Sequence, residues 1–249
     1  MRPIHQLVHS RTRVSSRFAL MPLEGFPASR LPSWPTATVR VLASPRIGAE
    51  FVQYLIELPM GERGEFAADP HVETFHYVLD GTGRFEAGEA HELRPGSFGL
   101  VPPERATRIV ATSAMRLLII RKRYELAAGI PIFQPLHGDT ASVGGNVWAE
   151  DSGSILQTLI PDELQYDLAM NIFSFEPGHG LPVVETHVME HGALILKGKG
   201  LYYLGDEWME VETDDFIYMA PFCPQSFYAT GTRSAKYLYY KNVNREIPL

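Results

Sequence analysis

The sequence predicts an all-β protein built from two copies of one barrel-forming unit. Two observations support this prediction: short apolar segments alternate with Gly, Pro and Asp, and the glycines of one half recur in the other half at a constant spacing. Short strands punctuated in this way are typical of a β-sandwich or a small β-barrel. No stretch has the periodicity of a long amphipathic helix.

The internal repeat is read from matched glycines. Gly61 lies opposite Gly178 and Gly81 lies opposite Gly198, each pair 117 residues apart. Later in the alignment the separation becomes 118, so the second copy carries one extra residue. A conserved register over such a distance indicates two copies of one supersecondary unit.

The strands follow from the apolar segments in order. In the first copy they are FVQYLIEL, FHYVLDG and GLVPP, and in the second they are LAMNIFSF, ALILKG, LYYLGDEWMEV and DFIYMAP. Each copy also contains a Gly followed by an acidic residue between two apolar runs, which predicts a hairpin turn.

Domain boundaries follow from where this pattern stops. A turn-rich stretch with little periodicity separates the two copies, so we expect it to connect them. The prediction is an N-terminal domain over residues 1–125 that begins with a basic arm, a linker over 126–153 and a C-terminal domain over 154–249.

Composition excludes several classes of function. The chain has 22 Lys and Arg against 29 Asp and Glu and a net charge of −7, which disfavours a nucleic-acid partner. No apolar stretch approaches the length of a membrane span, and no secretory signal is apparent, so we expect a cytoplasmic protein. The single cysteine, Cys223, is expected to be a small buried residue.

Four polar residues in the second copy have the composition of a metal site. Glu185 and His187 are two residues apart and share a face of an extended strand, and His191 returns to that face if the chain turns. Burying these groups together with the Gln225 amide would be costly without a cation. The mixed N/O set favours Mn, Fe, Co, Ni or Zn over Ca or Mg, and the lack of thiolate disfavours structural zinc.

Candidate chemistry also lies near the C-terminus. Tyr237 and Lys241 are four residues apart and share a face of a regular strand, and Tyr202 and Tyr239 are further aromatic candidates. The alternative is that the tyrosines only pack in the strand and that Lys241 is a solvent-facing edge charge. The first copy has Arg121 at the matching position, so a cation there is also compatible with a structural role.

The order of these residues resembles the two-part motif of the cupins, and its duplication resembles a bicupin. The second copy departs from the commonest cupin pattern, with Glu185 at the first His position, His191 at the acidic position and Gln225 at the late His. This arrangement, together with RFALMPLEGF, ETFHYVLDG and KYLYYKNVNREIPL, is similar to the (S)-ureidoglycine aminohydrolase family. The resemblance spans nearly the whole chain.

The resemblance implies two small antiparallel β-barrels of the jelly-roll, or double-stranded β-helix, type in tandem. It implies Mn²⁺, or another divalent transition metal, at Glu185, His187, His191 and Gln225. It further implies hydrolysis of a small ureide, (S)-2-ureidoglycine, to (S)-ureidoglycolate and ammonia in purine degradation. A homo-oligomer is expected, although no segment identifies its interface.

The resemblance also implies roles for three residues. Lys241 and Tyr237 are expected to be catalytic, and both are expected to bind substrate together with Tyr202. In the first copy, the alignment places Ala68, Pro70, Thr74 and Thr107 opposite the four ligands. We therefore expect that half to be metal-free and structural.

Two other functions remain open at this stage. The same residues are compatible with an Fe(II) site, and thus with a dioxygenase or isomerase acting on another small acid. A non-catalytic cupin that binds a small ligand is the third hypothesis. Oxygen consumption would identify a dioxygenase, and inert or absent metal would identify the binding protein.

Overall fold

The computed structural model describes residues 11–246, and its regular structure is almost entirely β-strand. The chain divides into two compact units, which we call the N-terminal unit and the C-terminal unit. The N-terminal unit is Pro27–Val143, and the C-terminal unit combines the described residues up to Phe26 with those from Gly144 onward. The first ten residues of the predicted arm lie outside the described residues. The predicted all-β bicupin fold is confirmed.

The strands are numbered in chain order. They are β1 Arg13–Val14, β2 Phe18–Met21, β3 Ser29–Leu31, β4 Trp34–Ala43, β5 Phe51–Leu58, β6 Arg63–Phe66, β7 Val72–Asp80, β8 Gly83–Ala87, β9 Glu89–Leu93, β10 Ser97–Val101, β11 Thr107–Ala111, β12 Met115–Arg123, β13 Leu136–Asp139, β14 Asn146–Trp148, β15 Asp151–Thr158, β16 Leu168–Phe175, β17 His191–Lys197, β18 Lys199–Leu204, β19 Glu207–Glu212, β20 Phe216–Met219, β21 Gln225–Ala229 and β22 Ala235–Asn242. Short 3-10 helices lie at Leu23–Gly25, Pro45–Ile47 and Thr140–Ser142.

The N-terminal unit contains two antiparallel sheets. One sheet has the strand order β13-β10-β7-β12-β5-β4-β3 and the other has the order β6-β11-β8-β9. Apolar side chains from both sheets form one core, in which Trp34, Phe85 and Leu117 are fully buried. Alternate burial along β5 shows how the period-2 pattern directs these side chains inward.

The C-terminal unit repeats this plan. Its sheets have the orders β1-β2-β20-β17-β22-β16-β15-β14 and β19-β18-β21. Its core is unusually aromatic and includes Phe175, Tyr202, Phe227 and Tyr237. Both predicted hairpins are present, since β8 pairs with β9 around Gly88 and β18 pairs with β19. Within residues 11–246, no helix is long and apolar enough to span a membrane.

Two strands, β2 and β13, pair in places that the sequence did not indicate. Strand β2 pairs with β20, so Phe18–Met21 belongs by contact to the C-terminal unit. Strand β13 lies within the predicted linker, yet it pairs with β10 of the N-terminal unit. By the contacts between its residues, the chain divides into the two units after Phe26 and after Val143. The three domain ranges derived from sequence stay predictions.

Strand register supports the internal repeat. His191 pairs with Met219 on one side and with Lys241 on the other. Thr74 pairs in the same manner with Val101 and Arg121. The matching neighbours show that Thr74 and His191 occupy equivalent positions in the two units.

Candidate functional site

A pocket of about 370 Å³ lies in the C-terminal unit and gathers all eight residues that the sequence singled out. These are Glu185, His187, His191, Tyr202, Gln225, Tyr237, Tyr239 and Lys241. The remaining wall is formed by Trp148, Phe173, Leu181 and Thr186. The pocket is thus lined by both polar and aromatic side chains.

The segment from Glu185 to His191 is held against the start of β21. The backbones of Glu185 and Gln225 exchange two hydrogen bonds of 2.8 and 2.9 Å. The Phe222 N–H donates to the His187 carbonyl at 2.7 Å. His191 and Gln225 are each the first residue of a strand. Backbone pairing therefore brings side chains that are 34 residues apart in the chain, those of His191 and Gln225, to one place.

The two imidazoles converge on the Gln225 amide. The Gln225 Nε2 atom lies 3.0 Å from His187 Nε2 and 3.4 Å from His191 Nε2. Two ligands held at right angles about 2.1 Å from one ion lie about 3.0 Å apart, so these separations fit ligands of a common ion. Because amide oxygen and nitrogen exchange places by a half-turn of the side chain, the oxygen can occupy the same position as a ligand.

Glu185 lines the same pocket. Within residues 11–246, however, no three His, Cys, Asp or Glu side chains are close enough together to form a metal site. The mutual contact therefore involves the two imidazoles and the amide, and the arrangement depends on Gln225 as much as on the histidines. Burial raises the pKa of the Glu185 carboxyl, and the nearby Lys241 ammonium opposes that increase.

The electrostatics of the pocket keep both imidazoles neutral. Burial, and then the charges of His187 and Lys241, lower the pKa of His191 to about 3. Burial and Lys241 also lower the pKa of His187. A neutral imidazole has a free lone pair, which is the form that binds a cation. The donor set and its protonation therefore fit a divalent transition metal.

The C-terminal strand supplies the rest of the polar wall. Tyr237, Tyr239 and Lys241 alternate along β22 and face the pocket, as the predicted period of two requires. Strand β22 lies between β17 and β16, so Lys241 is partly buried beside His191 and is not on an edge strand. Burial raises the pKa of Tyr237 well above its usual value, and it also raises the pKa of Tyr202. Both phenols therefore remain protonated.

Two pocket residues, Trp148 and Phe173, and their neighbour Asn171 were not identified from the sequence. Trp148 comes from the predicted linker, and its indole packs edge-on against Phe173 with ring centroids 5.5 Å apart. Asn171 donates a hydrogen bond to the Tyr239 hydroxyl from the facing strand. For Phe173, the alternation along LAMNIFSF was an available signal, whereas nothing in the local pattern marks Trp148.

The equivalent positions of the N-terminal unit lack this donor set. Thr74 and Thr107 occupy the positions of His191 and Gln225. Phe66 pairs with Thr107 as Glu185 pairs with Gln225, so the register places Phe66, and not Ala68, opposite Glu185. The constant-offset alignment failed here because Glu185 precedes His191 by six residues, whereas Phe66 precedes the equivalent Thr74 by eight, so the C-terminal unit is two residues shorter in this stretch.

Comparison with known proteins gives consistent results. A cupin domain family model matches residues 171–240. The probable (S)-ureidoglycine aminohydrolase of Oryza sativa subsp. japonica is 35% identical over 92% of this chain and 74% of its own length. The (S)-ureidoglycine aminohydrolase of Escherichia coli is 31% identical over 93% of this chain and 90% of its own. The crystal structure of protein Ylba from E. coli is similar over the full length of both chains, with 30% identity and a TM-score of 0.86.

Proposed function

This chain belongs to the (S)-ureidoglycine aminohydrolase family, and we propose that it hydrolyses (S)-2-ureidoglycine to (S)-ureidoglycolate and ammonia during purine degradation. The observation that supports this most directly is the pocket of the C-terminal unit. In it, two imidazoles and an amide contact one another beside an ammonium group and three phenols. A volume of about 370 Å³ suits a small polar substrate.

The proposal includes a divalent cation, taken to be Mn²⁺, held by Glu185, His187, His191 and Gln225. The separations of the imidazole and amide nitrogens and the neutrality of both histidines support it. Such an ion would supply an anchoring and polarising point for the substrate amine and carboxylate. Glu185 would contribute the only anionic ligand of the set, which explains a carboxylate in a pocket that raises its pKa.

Lys241 is assigned to the substrate carboxylate. Its ammonium acts electrostatically on Glu185, His187 and His191, so the charge lies close to all three. A partly buried ammonium attracts an anionic ligand more strongly than one in bulk water, because screening is weaker. Lys241 would therefore orient the substrate by pairing with its carboxylate, or pass a proton during the reaction.

Tyr237 is assigned to the leaving group or to the ureido group. Hydrolysis breaks the carbon–nitrogen bond to the amine and forms a carbon–oxygen bond from water, so the departing amine must gain a proton as water loses one. A phenol whose pKa is raised by burial holds its proton and acts as a hydrogen-bond donor. Tyr237 can assist at the departing nitrogen, with Tyr202 beside it as a second donor. Assembly into a homo-oligomer and a cytoplasmic location are parts of this proposal.

The test uses the whole protein, stripped of metal and reloaded with Mn²⁺. Ammonia release and product chirality are measured with freshly generated (S)-ureidoglycine against an enzyme-free control, because the substrate also decays without enzyme. We expect stereospecific acceleration that is lost in His187→Ala, together with bound Mn²⁺ measured by elemental analysis. His71→Ala, which alters an exposed histidine of the N-terminal unit, is the matched control and should retain both.

The same experiment can reject the proposal. Stoichiometric Mn²⁺ without any acceleration would reject hydrolysis of this substrate. Oxygen uptake with a small acid under the same conditions would then identify a dioxygenase in its place.

A further inference from the structure

A third phenol, that of Tyr239, lies between Tyr237 and Lys241 on the pocket-facing side of β22. Its ring is flanked by parallel rings from both neighbouring strands. The His191 ring lies 5.7 Å away at an angle of 4°, and the Phe173 ring lies 5.8 Å away at 8°. This stacking fixes the plane of the tyrosine ring and so restricts where its hydroxyl can lie.

Asn171 fixes the direction of that hydroxyl. The two residues face each other directly on β16 and β22, and Asn171 Nδ2 donates to the Tyr239 oxygen at 3.3 Å. Asn171 is only 5% exposed, and its Oδ1 has no hydrogen-bond partner within residues 11–246. Because the phenol oxygen accepts this bond, the phenol proton is available for another partner. Tyr239 lines the pocket, so a bound ligand can be that partner.

We propose that Tyr239 is a further substrate-binding residue, which donates a hydrogen bond to an oxygen of the substrate, and that Asn171 is a positioning residue that directs the phenol proton into the pocket. This inference rests on the proposed function, which supplies a substrate with two kinds of oxygen acceptor. These are the carboxylate and the ureido carbonyl. Lys241 is assigned to the former, so the phenol can share that carboxylate or read the ureido group.

Calorimetric binding to the Mn²⁺-loaded protein tests Tyr239 without depending on turnover. The probes are (S)-ureidoglycolate, which carries both acceptors, and glycolate, which lacks the ureido group. Tyr239→Phe removes only the hydroxyl and is expected to weaken binding about tenfold. Weaker binding of both probes would place the hydroxyl on the carboxylate, and weaker binding of ureidoglycolate alone would place it on the ureido carbonyl. Unchanged affinity for both, or no binding to the wild-type protein, would overturn the inference.

The chain offers a matched control on the same strand. Tyr240 is fully buried on the opposite face of β22, and its hydroxyl donates to Glu190 Oε1 at 3.3 Å. Tyr240→Phe removes the same group from a position that does not line the pocket. It should retain wild-type affinity for both probes.

Asn171 is tested by a double-mutant cycle. Asn171→Asp keeps the size of the side chain but replaces the donor by an acceptor, which would turn the phenol proton away from the pocket. It should reproduce the loss seen in Tyr239→Phe, and the double variant should lose no more, because both changes remove one hydrogen bond. Asn171→Ala provides a second variant if the buried carboxyl prevents folding. If substitution of Asn171 weakens binding as much in the Tyr239→Phe background as in the wild type, Asn171 does not act through Tyr239.

Failure of the inference can be separated from failure of the proposed function. Hydrolysis of ureidoglycine combined with Tyr239-independent binding would reject the role of Tyr239 alone. Tyr239-dependent binding in a protein that does not accelerate ureidoglycine hydrolysis would reject the proposed reaction and leave the binding role intact.

Discussion

The stability of the N-terminal unit should depend on His76 at mildly acidic pH. The His76 ring is fully buried and stacks on Phe85, with the centroids 5.1 Å apart and the planes at 12°. In the described part of the chain, neither ring nitrogen has a hydrogen-bond partner. Burial, followed by the charges of His137 and His91, lowers the pKa of His76 to about 3. The folded unit therefore holds this imidazole neutral.

The magnitude follows from proton linkage. An unfolded histidine has a pKa of about 6.5, so between pH 6.5 and 3 the unfolded chain binds a proton that the folded chain does not. The stabilising contribution is complete above the unfolded pKa and is lost as the pH falls toward the folded pKa. From pH 7.5 to pH 5.0, His76 alone should lower the free energy of unfolding by about 2 kcal/mol.

Urea unfolding at these two pH values measures the effect. Trp34 is fully buried in the N-terminal unit, and Trp148→Phe with Trp208→Phe leaves it as the only tryptophan of the chain. In this background His76→Leu, which replaces the ring by an apolar side chain of similar size, should lose about 2 kcal/mol less stability on acidification. His71→Leu alters an exposed histidine and should behave as the parent does. Equal pH dependence in His76→Leu and the parent would refute the depressed pKa.

Three further predictions concern the pocket and the core. Lys241→Met should keep stoichiometric metal and lower kcat/KM at least a hundredfold, and unchanged turnover would remove Lys241 from the mechanism. Gly64→Ala would drive a Cβ into the Trp34 ring and should destabilise the N-terminal unit by about 1–3 kcal/mol in urea unfolding. Gly144→Ala, in the C-terminal unit, meets nothing within 4 Å and should leave stability unchanged. Removal of metal with a chelator should lower the melting temperature of the C-terminal unit and leave unchanged the melting temperature that Trp34 fluorescence reports for the N-terminal unit. Equal decreases in the two melting temperatures would contradict this prediction.

The fold could be predicted because alternation and glycine spacing are local properties. Each copy repeats the same apolar periods, and Gly88 and Gly205 adopt the positive φ angles that their hairpin turns require. The strands β2 and β13 could not be placed in this way. Each fills the same position, beside β20 and β10 respectively, but each comes from outside the repeated segment. Pairing with an edge depends on a distant strand, and a local pattern does not record it.

The site was predictable to the extent that it is encoded by spacing and residue type. The eight singled-out residues line one pocket because β22 keeps its period of two and because the Glu185 and Gln225 backbones pair. The contacts of Tyr239 with Asn171 and of Trp148 with Phe173 are cross-strand relations. They depend on register between strands, which one sequence does not reveal.

The two units differ in side chains at positions of matching register. At matching register, Glu185 and Lys241 in one unit correspond to Phe66 and Arg121 in the other. The Arg121 guanidinium lies over the Phe66 ring, 4.5 Å from its centroid, so the cation is balanced by an aromatic face that needs no ligand.

In the C-terminal unit the Lys241 ammonium instead lies near a carboxylate and two neutral imidazoles, and of these groups only the carboxylate offsets its charge. Such a pocket would be stabilised by a bound cation, which accepts the imidazole lone pairs, and by a bound anion, which balances the ammonium charge. Under the proposed function, a metal ion at the imidazoles and an anionic substrate beside Lys241 would meet both needs. The difference between the two barrels therefore lies in a few side chains at positions of matching register. Because of these side chains, we expect the C-terminal unit to bind the metal ion and the substrate.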